Sequence, residues 1–354
     1  MNRHIDPNRV FKRRRLLVAI GAILTLCLIV GYAARAQIRS FIDVASGAEY
    51  SGPGTGKAFI IVRPGDSGEI VAKELVAAGV TKSFSATYRQ IVSSHATFFP
   101  GYFELKTQMS SAEAISYLTS NQHQIVQHVL VKEGLRIDQV FAVLANATGH
   151  TVSEFEAAAS DLTAYDLPKK AVSLEGYLFP ATYDFSPSQD AKQILQAMVE
   201  RMKQELSTQG VAKKDWQKVL TMASIIQKEA RQPQDFAKVS RVFKNRLAIG
   251  MHLQSDATVS YGVNGHTVST SVADRQDPNG YNTYLHAGLP IGPISAPGAQ
   301  AISAALNPAD GTWLYFCAIN LATGETLFST TIAEHERAVA KWRAWMLANP
   351  GWNG

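Results

Sequence analysis

From residue 16 to residue 34 the chain reads LLVAIGAILTLCLIVGYAA, an unbroken apolar run without a charge. Its length approaches the roughly 20 apolar residues that carry a helix across a bilayer. It also exceeds the ~7–15-residue apolar core of a cleavable signal peptide. A retained transmembrane helix over residues 16–34 is therefore expected, with a cytoplasmic basic tail over residues 1–15. The rival is cleavage near Tyr32-Ala33-Ala34-Arg35-Ala36, where small residues cluster.

Past that run the pattern becomes that of a folded protein. Residues 51–56 (SGPGTG) read as a flexible linker closing a connecting stretch over 35–57. Residues 58–63 (AFIIVR) form a β-branched run expected to be a strand. Pro64-Gly65 turns the chain, and Asp66 with Glu69 suggests a capped helix ending near Gly79. A second helix over roughly 85–92, a strand around 102–105 and a helix opened by Ser110-Ser111-Ala112-Glu113 complete a small α/β domain over 58–124. A strand over 125–131 begins the remainder, 125–348. Its plainest helices are 215–230 and 235–248, the second stopped by Gly250. A long stretch rich in Gly, Asn and Pro then runs to Pro308; loops of that length are usually functional or mobile. A hairpin, 313–319 against 325–329, and a helix opened by the capping box Thr331-Ile332-Ala333-Glu334 close the chain. The fold class expected is α+β.

Charge sharpens this picture through its location. The formal net charge of +5 is carried by Arg3, Arg9, Lys12, Arg13, Arg14 and Arg15 against Asp6, and the remaining basic and acidic residues balance. Basic residues flanking a span mark its cytoplasmic side. A neutral remainder lacks the concentrated basic surface that nucleic-acid binding requires. Cys27 falls within the apolar run and Cys317 within WLYFCAI, so a disulfide framework is not expected.

The candidate chemistry centres on Glu229. On a helix it shares a face with Met222, Ile225 and Ile226, and a carboxylate on an apolar face loses hydration, which raises its pKa. Glycosidases keep a general acid protonated by this means. A structural ion pair with Arg231, Arg241 or Arg246 is the plain alternative. Two later stretches suit a sugar ligand: residues 253–261 (LQSDATVSY) and 281–284 (YNTY), with the rigid loop 288–298 between Gly288 and Gly298. Aromatic rings give an apolar platform with a polar tip. No His-Glu-x-x-His, zinc cluster, phosphate loop or Gly-x-Ser-x-Gly elbow is present in the sequence, so neither a metal nor an organic cofactor is implied.

Five motifs in order, residues 174–183 (LEGYLFPATY), 223–229 (ASIIQKE), 245–256 (NRLAIGMHLQSD), 281–284 (YNTY) and 288–294 (GLPIGPI), resemble the MltG/YceG family of endolytic murein transglycosylases. The resemblance implies a transmembrane helix, a small LysM-like domain and a larger mixed α+β catalytic domain. It places the catalytic acid at Glu229. Candidate substrate-binding residues are Gln254, Asp256, Thr258, Tyr261, Asn282 and Tyr284, together with Glu175 and Tyr177 of the first motif. Gln227 stands where many relatives have Glu, Ala257 where they often have Pro, and Lys132 replaces the Pro of Pro-Glu-Gly.

The implied reaction is cleavage of the MurNAc–GlcNAc bond of nascent peptidoglycan strands, leaving 1,6-anhydro-MurNAc ends and terminating elongation. A muramidase-type hydrolase remains open, with Glu175 or Asp256 as second carboxylate. So does a non-catalytic glycan-binding scaffold for cell-wall synthases. The implied partners are the glycan strand, the membrane and a penicillin-binding-protein synthase, at a cytoplasmic membrane with the catalytic domain outside.

Overall fold

The structure is a computed structural model that describes residues 47–120, 123–265 and 270–351. The expected basic tail and transmembrane helix, residues 1–34, lie outside the described residues. Among those described, no helix is long and apolar enough to cross a membrane. The described chain forms two compact units, one reaching to Val126 and one starting at Gln127, and each encloses its own hydrophobic core.

The first unit runs β1 (Pro53–Val62), α1 (Gly68–Ala77), α2 (Phe84–Ser93), β2 (Gly101–Met109) and α3 (Ser111–Leu118). The strands pair antiparallel, with Ile60 opposite Phe103 and Ala58 opposite Leu105. Alternation sends Ala58, Ile60 and Val62 inward, where they meet Val71, Leu75, Phe103, Leu105 and Leu118. A serine caps each helix: Ser67, Ser83 and Ser110 accept the N–H groups of Ile70, Ala86 and Glu113. Asp66 is not the first cap, because its carboxylate accepts the Arg63 N–H at 2.7 Å and closes the turn instead.

The glycine-rich residues 51–56 also depart from expectation, since β1 already begins at Pro53. Thr55 pairs with Thr107, and the register shifts before Ala58, which marks a bulge. Gly54 has φ +78°, and a Cβ there would lie 2.6 Å from Met109 Cγ. Glycine here allows a close strand crossing, and composition alone mistakes that for a linker.

The second unit comprises β3 (Gln127–Leu130), α4 (Ile137–Thr148), α5 (Val152–Ser160), β4 (Thr182–Phe185), α6 (Ala191–Thr208), α7 (Trp216–Glu229), α8 (Phe236–Ala248), α9 (Asp256–Gly262), α10 (Ala299–Leu306), β5 (Tyr315–Asn320), β6 (Glu325–Ser329) and α11 (Ile332–Ala348). Strands β3 and β4 pair antiparallel, as do β5 and β6. The unit is thus mixed α+β, with its core among helices.

Helix α7 is the centre of this unit. Seven consecutive residues, Leu220 to Ile226, are buried, as expected of a helix enclosed on all sides. Its polar groups are used internally. Ser224 Oγ accepts the Ile294 N–H at 3.0 Å, and Gln217 Oε1 accepts from Tyr177 Oη at 2.6 Å. The motifs at 174–183 and 288–294 therefore pack on the helix that ends in Glu229. Helices α6 and α10 are not among the expected elements. The first shows a regular buried stripe, Ala191, Ile194, Leu195, Met198, Val199, Met202 and Leu206. The second has only eight residues, and the surrounding Gly and Pro obscure it.

Candidate active site

Glu229 is the last residue of α7, and it lines a cavity of about 640 Å³ with Arg136, Gln139, Lys228, Arg231, Asp256, Ser260 and the hairpin residues Phe316, Cys317, Ala318 and Thr326. Three effects act on its carboxyl. Burial raises the pKa and is the largest. The hydroxyl of Ser255 donates to Oε1 at 2.5 Å and pulls the pKa down. The charge of Asp256 raises it again, while Arg231 and Arg246 lower it. The direction is up: the acid form is favoured beyond the ordinary carboxylate range. Position adds to this, because the carbonyl end of a helix disfavours a negative charge.

Ser255 is held by a buried hydroxyl network. Its N–H donates to Thr283 Oγ1 at 3.1 Å, and Thr258 Oγ1 donates to the Ser255 carbonyl at 2.7 Å. The Thr258 and Thr283 hydroxyls lie 2.8 Å apart. Gln254, at φ +50°, precedes this turn, and its N–H donates to the Thr283 carbonyl at 3.1 Å.

Asp256 shares the cavity wall. Its Oδ1 accepts from Thr270 Oγ1 at 2.6 Å and Tyr284 Oη at 3.0 Å, with Arg275 Nε at 3.7 Å. Burial and the adjacent Asp256 push the Tyr284 phenol up to about 12.

Glu175 is placed differently. It is 2% exposed and accepts the Ile137 N–H at 3.0 Å, at the first turn of α4. Burial still dominates and raises its pKa to about 7. The Tyr261 side chain, also hydrogen-bonded to Glu175, has its phenol raised by burial and by that carboxylate.

The sequence candidates thus separate. Glu229 and Asp256 are on the cavity wall. Tyr261 and Tyr284 are half-buried supports that bond Glu175 and Asp256, and Gln254 is exposed. Thr258, Asn282, Tyr177 and Glu175 are all buried and bonded within the protein. Asn282 Nδ2 donates to the Arg275 and Asp277 carbonyls at 3.0 and 2.7 Å. Their polarity serves loop closure, as buried polar groups require.

The plain alternative for Glu229, a carboxylate fixed by an arginine, also takes a different form. Arg246 is 8% exposed, and its Nε and Nη1 donate to the Leu314 and Leu253 carbonyls, both at 2.6 Å. Gln227 Oε1 accepts the Gly298 N–H at 3.0 Å. That position needs an acceptor, which Gln and Glu both supply, so its departure from the family pattern leaves Glu229 untouched.

Sequence reasoning missed Ser255, Arg136 and the hairpin wall. Ser255 lay within the 245–256 motif without being singled out. The hairpin was expected as an element, yet nothing in its apolar alternation marks it as part of a cavity.

A mixed α+β unit with a desolvated carboxyl at the end of its central helix, opening into a cavity, defines a class of protein equipped for acid–base chemistry. Within that class, the model of the YceG-like family matches residues 60–341, and the chain belongs to that family. It is 33% identical over 307 residues to the endolytic murein transglycosylase of Bacillus subtilis (strain 168), covering 80% of this chain and 84% of that protein. It is 28% identical over 302 residues to the endolytic murein transglycosylase of Streptococcus pneumoniae serotype 2 (strain D39), covering 75% of this chain and 54% of that one. The chain therefore spans about half the length of the pneumococcal relative. The crystal structure of a yceG-like protein from Listeria monocytogenes superposes with a TM-score of 0.53 at 28% identity, covering 79% of this chain and 98% of that one.

Proposed function

We propose that the chain is an endolytic lytic transglycosylase that cleaves the MurNAc–GlcNAc bond of peptidoglycan strands with Glu229 as its acid and base. The observation that carries this is the Glu229 carboxyl, desolvated on a cavity wall and held by Ser255 at 2.5 Å. The protonated carboxyl gives its proton to the bridging oxygen as the bond from that oxygen to the MurNAc anomeric carbon breaks. The resulting carboxylate then takes the proton of the MurNAc 6-hydroxyl, whose oxygen bonds to the same carbon. A 1,6-anhydro ring closes, the enzyme regains its proton, and no water is consumed.

Hydrolysis is the second reading, favoured by the presence of Asp256 on the same wall. The products separate the two: anhydro ends from ring closure, reducing ends from water. Mass spectrometry of strands treated with wild type and Glu229→Gln is the test. Anhydro-MurNAc ends from the wild type alone are expected, with the variant slower by at least ~100-fold. Equal cleavage by both proteins removes Glu229 from the mechanism, and reducing ends assign the hydrolase.

The finer placement also belongs to this reading. Residues 16–34 serve as a single-pass anchor in the cytoplasmic membrane, with the basic tail inside and the described units outside. The order strand–helix–helix–strand, with β1 and β2 antiparallel, supports a LysM-like first unit that binds glycan. Cutting nascent strands would end their elongation, beside a synthase of the penicillin-binding type.

A further inference from the structure

Three cations share the cavity wall with Glu229, namely Arg136, Lys228 and Arg231, and the proposed acid chemistry uses neither of the first two. Arg136 immediately precedes α4. Its Nη2 donates to Ser260 Oγ at 3.1 Å, and its guanidinium lies 5.2 Å from the centre of the Tyr261 ring, so its orientation is fixed from two sides. Lys228 precedes Glu229, and its Nζ donates to the Gly134 carbonyl at 3.3 Å. Partial burial disfavours the charge of Lys228, and the nearby Arg136 adds to this, while Glu175 and Glu229 act the other way.

Among the described residues, neither forms an ion pair with a carboxylate. The acidic groups nearest in charge terms are poor counter-ions. Glu175 is enclosed and bonded to the Ile137 N–H; Glu229 favours its neutral form. Lys228 is exposed and Arg136 half-buried on the cavity wall, so both charges are open to an anion that can accept from them.

We propose that Arg136 and Lys228 form a carboxylate-binding subsite beside Glu229, which holds an acidic group of the glycan substrate during cleavage. The proposal rests on the reading of Glu229 as acid toward a peptidoglycan strand. Such a strand offers two sources of carboxylate. One is the lactyl group of muramic acid, free where the peptide is absent, and the other is the stem peptide itself. The pyranose rings carry no charge, so this subsite would distinguish a muramic-acid strand from a neutral chitin-like one. It would also fix which ring lies across the acid.

The test is equilibrium binding to the full chain in detergent, carrying Glu229→Gln so that nothing is cleaved. Three soluble tetrasaccharides are compared: bare with free lactyl carboxylates, stem-bearing, and bare with those carboxylates capped as methyl amides. At least one carboxylate-bearing ligand should bind about ten- to hundredfold more tightly than the capped one. Lys228→Met and Arg136→Gln should each collapse that ratio toward one. Arg136→Lys, which keeps the charge, should preserve most of it and guards against a folding defect in the glutamine variant. The tighter of the two acidic ligands identifies the source. A ratio near one in the parent protein, or a ratio that survives both charge removals, overturns the proposal. Since binding is read without turnover, the Glu229 reading can fail while the subsite stands: the wild type would then cleave nothing although the ratio persists. Cleavage with a ratio of one refutes only the subsite.

Discussion

Ser255 donates to Oε1 of Glu229, so a proton carried by that carboxyl resides on the other oxygen, where it is available to a substrate. The hydroxyl thus does two things: it orients the acid, and it tempers the rise in pKa that burial imposes. Removing it in Ser255→Ala should lower kcat on the order of ten- to hundredfold, the worth of a hydrogen bond to a charged group. The same change should move the alkaline limb of the pH–rate profile upward, because the carboxylate form loses a stabilising donor. Ser255→Thr, which retains a hydroxyl, should restore the profile. An unmoved alkaline limb in Ser255→Ala would mean that Ser255 only packs. The apolar setting of Glu229 was legible because helical spacing puts it with Met222, Ile225 and Ile226. The part played by Ser255 was not, since its approach spans 26 residues of separation and depends on a turn that no local pattern encodes.

At the level of elements, the site is held by loops laid against α7. Gly176 shows how tightly they fit: its φ is +77°, and a Cβ would sit 2.4 Å from Pro293 Cβ. Both the left-handed backbone and the contact demand glycine. Gly176→Ala should therefore destabilise the second unit by about 2–5 kcal/mol, measured by denaturant unfolding; a loss under ~0.5 kcal/mol would show that the two loops part easily. Helices α7 and α8, each preceded by an Asp and the second ending before Gly250, were readable from sequence, as was the closing hairpin. The glycine-rich start of β1 was not, because a bulged strand at a close crossing and a linker share one composition. Thr258 and Asn282 show the same limit on the polar side. Their side chains satisfy backbone and hydroxyl groups of buried loops, and a list of residues suited to sugars cannot separate that duty from ligand contact.

Across the whole molecule, the buried acids tie folding to pH. The pKa of Glu175 rises from 4.5 to about 7 on folding, and that of Glu229 also rises. The folded chain therefore holds protons at these two sites that the unfolded chain releases, so their contribution to stability is fully present below pH 4.5 and is lost as pH climbs through 7. For Glu175 the loss amounts to roughly 3 kcal/mol. The thermal midpoint of the wild type should fall between pH 5 and pH 8, and Glu175→Gln should reduce that slope while Glu229 maintains part of it. Identical slopes in the two proteins would dissociate Glu175 from the effect. The mixed α+β character follows from the alternation of patterns along the chain. The cavity does not, because its wall draws on residues as far apart as Arg136 and Thr326. That span bears on biosynthesis. Arg246 bonds the carbonyls of Leu253 and Leu314, joining the turn before Ser255 to the strand that supplies Phe316 and Cys317. Chains emerge from the ribosome N-terminus first, so a nascent copy has its acid long before it has a closed cleft. The cavity around Glu229 is complete only once the hairpin that supplies Phe316 and Thr326 has been made.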